Sequence, residues 1–120
     1  MKSRLIAIAT VFASLLTGTA ALHAETTTDH DRLYAGHYMN YNNISVNQGE
    51  HATVAVQGDG DTTLHLEVYD YNDNLIDQSY CKSDACVVSW VAYRNANFYV
   101  RVTNLGSVYN DYGFAMKRYY

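Results

Sequence analysis

Oxygen-rich clusters are the first candidates for chemistry in this chain. Asp59 and Asp61 fall in "GDGD", and Asp70, Asn72 and Asp73 fall in "YDYNDN", at the two ends of one alternating apolar run. Calcium takes about six to eight oxygen ligands, often from alternate positions of one loop, so either cluster could contribute. Neither follows the twelve-residue pattern that closes on a glutamate. Asp, Asn and Gly are also the ordinary residues of tight turns, since they accept left-handed backbone and hydrogen-bond their own main chain. The turn reading is therefore preferred, with calcium as the alternative.

Other reactive side chains are scattered. His30, His37, His51 and His65 show no ligand spacing, so they read as surface histidines and not as a transition-metal site. Ser45, Ser79, Ser83, Ser89 and Ser107 sit in no nucleophile-elbow or triad signature. Two carboxylates could in principle serve as acid and base, but nothing in the sequence builds a pocket to position them. Cys81 and Cys86 are the only cysteines and enclose "KSDA". An even, closely spaced pair in an oxidising compartment reads as a disulfide, whereas a metal pair or redox motif needs more ligands or a two-residue spacer.

Tyrosine is the unusual component. Twelve tyrosines in a chain of 120 residues exceed what one small interior holds. Tyr69, Tyr71, Tyr93 and Tyr99 are expected at outward or turn positions, with His65 and Arg101 beside them. Exposed tyrosine supplies rigid amphipathic contact area suited to a protein or glycan partner. Cross-strand aromatic pairing that only stabilises a sheet is the competing explanation.

The elements that must carry these residues are strands. From Leu33 onward, short β-branched and aromatic runs are separated by Asn, Asp and Gly, with proline absent throughout. Strands are expected at 44–46, 51–56, 62–69, 75–80, 86–92, 97–103 and 112–117, with no stretch of helical period. In residues 64–69, alternation buries Leu64, Leu66 and Val68 and displays His65, Glu67 and Tyr69. The same rule buries Phe98, Val100 and Val102 and displays Tyr99 and Arg101. Val54, Val56, Trp90, Tyr112, Phe114 and Met116 complete the expected core. Seven to eight short strands with turn signals between them predict an all-β antiparallel sandwich, jelly-roll-like, with one disulfide.

Compartment follows from the N-terminus. Lys2 and Arg4 precede an apolar run from Leu5 to Leu16 and small residues ending at Ala24, the pattern of a secretory signal peptide. The cut is expected after Ala24, with Ala20 and Ala21 as alternatives because Leu22 is bulky near the scissile bond. The apolar run is shorter than the roughly 20 residues of a membrane-spanning helix. Residues 25–32, "ETTTDHDR", read as a flexible polar arm, and 33–120 as a single domain. Without residues 1–24, six basic side chains face twelve acidic ones, a net charge of −6. Scattered cations on an acidic chain disfavour nucleic acid, and no basic amphipathic helix offers a membrane surface.

From Gly58 to Tyr112 the sequence resembles the bacterial pre-peptidase C-terminal (PPC) domain. The carrying pieces, in order, are "GDTTLHLEV", "YDYNDNLI", "CVVSW", "FYVRVTNLG" and "YNDYGF". Thr63 stands where the family has a second acidic residue, Asp73 where it has glycine, Ala92 lies near its usual proline, and "RNAN" replaces its glycine before the aromatic strand. The resemblance implies a small secreted or periplasmic β-sandwich that binds or assists folding without covalent chemistry. Its implied partner is an envelope or secreted protein, a peptidase among them, or a glycan. Calcium-binding relatives in the family make a calcium-stabilised structural domain the alternative. A small hydrolase is the weaker one. No cofactor is expected beyond that calcium.

Overall fold

A computed structural model describes residues 25–81 and 85–120, so the signal-peptide reading of 1–24 lies outside the described residues. Among the described residues eight strands follow one another: β1 (Glu25–Leu33), β2 (Tyr38–Val46), β3 (His51–Gln57), β4 (Leu64–Asp70), β5 (Leu75–Cys81), β6 (Ala85–Val91), β7 (Ala96–Asn104) and β8 (Asn110–Tyr119). They form two four-stranded sheets, β1-β8-β3-β6 and β2-β7-β4-β5, in which every pairing is antiparallel. Consecutive strands mostly alternate between sheets, which is the double Greek key of a jelly roll.

Alternation decides what is buried. Leu64, Leu66 and Val68 of β4 and Phe98, Val100 and Val102 of β7 face Val54, Val56, Val88, Trp90, Tyr112 and Phe114 of the other sheet. Their apolar surface is removed from water at roughly 25 cal/mol per Å². Met116, expected inside, is only partly buried and packs against the edge of that core.

Cys81 ends β5 in one sheet and Cys86 opens β6 in the other, and the two are disulfide-bonded. The bond therefore joins the sheets where the chain crosses between them. Both cysteines are buried in the core.

Two elements differ from the sequence expectation. In place of a flexible arm over 25–32, the chain forms β1, paired with β8 from Glu25↔Arg118 to Leu33↔Asn110. Its side chains from Thr26 to Arg32 are exposed, and an edge strand with both faces in solvent needs no apolar alternation. β2 starts at Tyr38, well before the expected residue 44. A bulge between Tyr41 and Ile44 puts Asn43 at φ 60° and breaks the period-two pattern that would have marked it.

Asparagines buried at strand ends clamp the loops at one pole. Asn104, fully buried, donates from Nδ2 to the carbonyls of Leu33 (2.9 Å) and Val108 (2.8 Å) and accepts the Gly106 N–H at 2.9 Å. Asn110 accepts the Asp59 N–H at 3.1 Å and donates to the carbonyl and hydroxyl of Thr62.

Candidate functional site

The outer face of the β2-β7-β4-β5 sheet collects most of the side chains that the sequence singled out. Strand register sets out three rows. Tyr80, His65, Thr103 and Tyr38 make one, Gln78, Glu67, Arg101 and Asn40 the next, and Tyr69 beside Tyr99 the third. Pleating forces this, because residues two apart on one strand share a face and antiparallel register places their partners alongside.

Arg101 is the centre. Its guanidinium carbon lies 4.5 Å from the Tyr38 ring centroid, 5.7 Å from that of Tyr69 and 5.8 Å from that of Tyr99. Its Nε donates to Asn40 Oδ1 at 2.9 Å. Three aromatic rings and an amide thus hold one cation, each ring within the roughly 6 Å over which a π face attracts it. The Tyr69 and Tyr99 rings stack on each other at 5.0 Å, and the His65 and Tyr80 rings at 4.2 Å.

Carboxylates fix the phenols. Tyr69 donates to Glu67 Oε2 at 2.6 Å, and this bond, with some burial, pushes the phenol up to about 12. Tyr99 donates to Asp73 Oδ1 at 2.7 Å, which raises it as well. His65 bridges the face, with Nε2 2.9 Å from Gln78 Oε1 and Nδ1 3.7 Å from Glu67 Oε1. The result is a preorganised surface: its long side chains are already held in one arrangement, so less rotamer freedom remains to be lost on contact.

Tyr69, Tyr99, His65 and Arg101 are thereby brought together. Tyr71 is not on the face; it occupies the β4–β5 turn and donates to Asn43 Oδ1. Tyr93 stands in the β6–β7 turn, 89% exposed, away from the cluster. Tyr38 and Tyr80, 57% and 51% exposed, belong to the face and were missed. Tyr38 was hidden with the rest of β2, whereas the alternation of β5 would have placed Tyr80 opposite His65 had the register been known.

The acidic clusters act on their own backbone. Asp70 Oδ1 accepts the N–H groups of Asn72 and Asn74, each at 2.9 Å, and Oδ2 accepts the Asn74 amide. Those bonds stabilise the charged form and hold Asp70 below the usual carboxylate range. Asp73 adopts φ 62° in the same turn, the left-handed geometry that favours glycine. Asp59, buried, accepts the N–H of Asp61 at 3.0 Å and that of Asp111 at 2.8 Å. Asp111 in turn binds Arg32 through Nε at 2.7 Å and Nη2 at 3.2 Å. Among the described residues, no three His, Cys, Asp or Glu side chains gather as a metal site.

No known family profile and no curated protein matches the chain in sequence. Solved structures do match in fold. The pre-peptidase C-terminal domain of collagenase from Bacillus anthracis superposes with a TM-score of 0.66 at 15% identity, covering 76% of this chain and 88% of that one. PliG from Aeromonas hydrophila, a periplasmic inhibitor of g-type lysozyme, gives 0.59 at 12% identity, over 82% and 90%. The Yersinia pseudotuberculosis-derived mitogen gives 0.59 at 8%, over 77% and 84%. The chain therefore shares the β-sandwich fold of a pre-peptidase C-terminal domain. At these identities the likeness concerns fold, and function has to be argued from the site.

Proposed function

We propose that this protein is a non-catalytic module of the periplasm or secreted medium that binds another protein through the outer face of the β2-β7-β4-β5 sheet. The observation that carries the reading is Arg101 held among Tyr38, Tyr69 and Tyr99. Tyrosine and arginine dominate the energetics of protein interfaces, and here both are presented rigidly on a sheet. The buried disulfide and the signal-like N-terminus support the compartment. Likeness in fold to a domain of a collagenase and to a periplasmic lysozyme inhibitor supports a protein partner, with an envelope or secreted protein such as a peptidase as the favoured one. The engagement of Asp59, Asp70, Asp73 and Glu67 in turns and tyrosine bonds supports the non-catalytic reading.

The test is capture from the native envelope and medium with wild type, Arg101→Ala, Tyr99→Ser and Tyr93→Ser, each checked for fold by circular dichroism. A partner retained by wild type and Tyr93→Ser but lost by the two face variants supports the proposal. A partner lost only with Tyr93→Ser places the contact at the β6–β7 turn and sinks it.

A further inference from the structure

Between β2 and the inner side of β8, at the open edge of the sandwich, lies a cleft of 430 Å³. Small-molecule sites span roughly 300–1,000 Å³. Its apolar part is made by Tyr41, Ile44, Phe114 and Met116, and the Tyr41 and Phe114 rings stack at 3.9 Å and 12°. Its polar part comes from Asn40, Asn42, Asn43, Thr27, Ser45 and Arg118. An apolar floor with convergent polar groups is the usual make-up of a ligand site.

The backbone there is specially shaped. The β2 bulge falls within the cleft wall, and Asn43 holds φ 60°, a conformation uncommon outside glycine. Tyr71, from the β4–β5 turn, donates to Asn43 Oδ1 and so fixes that side chain. Bulges re-aim side chains, and this one carries two successive asparagines, Asn42 and Asn43, into the same wall.

We infer that the cleft binds a neutral sugar, of mono- or disaccharide size. Each asparagine amide both donates and accepts, as do the hydroxyls of Thr27 and Ser45, which matches vicinal hydroxyls that also do both. Ile44 and Phe114 are buried beneath the cleft, so the partly exposed Tyr41 and Met116 supply the apolar surface that suits the C–H face of a pyranose ring. Charge beside the cleft is balanced, which selects against a net-charged ligand: Arg118 donates to the Ser45 carbonyl, and Asp29 accepts the Tyr41 hydroxyl at 3.1 Å. The cleft shares Asn40 with the tyrosine face, where the Asn40 Oδ1 accepts from Arg101, but the inference does not rest on that face.

The experiment is a titration followed by amide NMR, with methyl glucoside and N-acetylglucosamine as neutral probes, glucuronate and glucosamine as charged ones, and glycerol as a control. Saturable shifts centred on residues 40–45 and 114–118, in the millimolar range, are expected for the neutral sugars alone. Asn43→Gly keeps the left-handed backbone and removes the amide, and should weaken binding about tenfold; Asn42→Ala should act likewise. Linear, unsaturating shifts, shifts centred on Tyr69, Tyr99 and Arg101, tighter binding of a charged sugar, or equal affinity in both variants would each overturn the inference. The wild-type shift map decides the matter by itself if either variant fails to fold.

Discussion

Asn104→Ala tests how the loop pole is held together. The side chain is fully buried and makes three hydrogen bonds, at 2.9, 2.8 and 2.9 Å, to Leu33 O, Val108 O and Gly106 N. Each satisfied bond contributes about 1 kcal/mol net, and an abandoned buried group costs about 1–3 kcal/mol. Three orphaned backbone groups therefore place the loss at about 3–4 kcal/mol, since water admitted to the gap recovers part of the larger sum. For a domain near 100 residues each kcal/mol moves Tm by roughly 4–8 °C, so a fall of about 12–30 °C is expected. That is a large share of a typical stability of about 5–15 kcal/mol. Urea unfolding should show a lower midpoint at unchanged slope, because the perturbation acts on the native clamp and not on the surface exposed by unfolding. A loss below about 1 kcal/mol at unchanged slope would refute the reasoning, and with it the claim that this asparagine ties the β1–β2 junction to the β7–β8 loop.

Glu67→Gln should bring the Tyr69 phenol down from about 12 toward its ordinary 10, because the carboxylate it donates to is the main cause of the rise; alkaline absorbance titration reads this. Gly106→Ala would set a Cβ 2.3 Å from Thr62 Cγ2 and 2.4 Å from Thr62 Cβ, so chemical denaturation should show a loss of about 1–3 kcal/mol. Replacing Cys81 and Cys86 together by alanine should cost about 2 kcal/mol, the low end for a disulfide because it closes a short loop, and the same denaturation curves should show it against the oxidised wild type. Calcium against chelator should leave Tm unchanged, since Asp59 and Asp70 already serve backbone N–H donors; a rise of several degrees would establish the calcium-stabilised alternative.

Much of the architecture was legible in residue order alone. Period-two alternation in residues 64–69 and 97–103 assigns Leu64, Leu66, Val68, Phe98, Val100 and Val102 to the core, and each is buried. Asp70 and Asn72 to Asn74 mark a turn through their own hydrogen bonding, and a turn is what they form. These features depend on contacts between near neighbours in the chain, so their cause lies within a few residues. β1 was illegible because an exposed edge strand carries no apolar pattern, and its partners in β8 lie 77 to 93 residues away, from Leu33↔Asn110 to Glu25↔Arg118. β2 was obscured by its own bulge.

Which tyrosines form a surface was decided elsewhere. Tyr69, Tyr71, Tyr93 and Tyr99 are alike as letters, yet only Tyr69 and Tyr99 face Arg101, because the β4–β7 register pairs them directly. Tyr38 joins them through the β2–β7 register and Tyr80 through β4–β5. The cleft likewise exists only because β2 and β8, in different sheets, meet at the edge of the sandwich. By itself the sequence determined the class of fold, the buried face of each patterned strand and the turns between them. Register between distant strands, a long-range outcome of core packing, decided which side chains became a site.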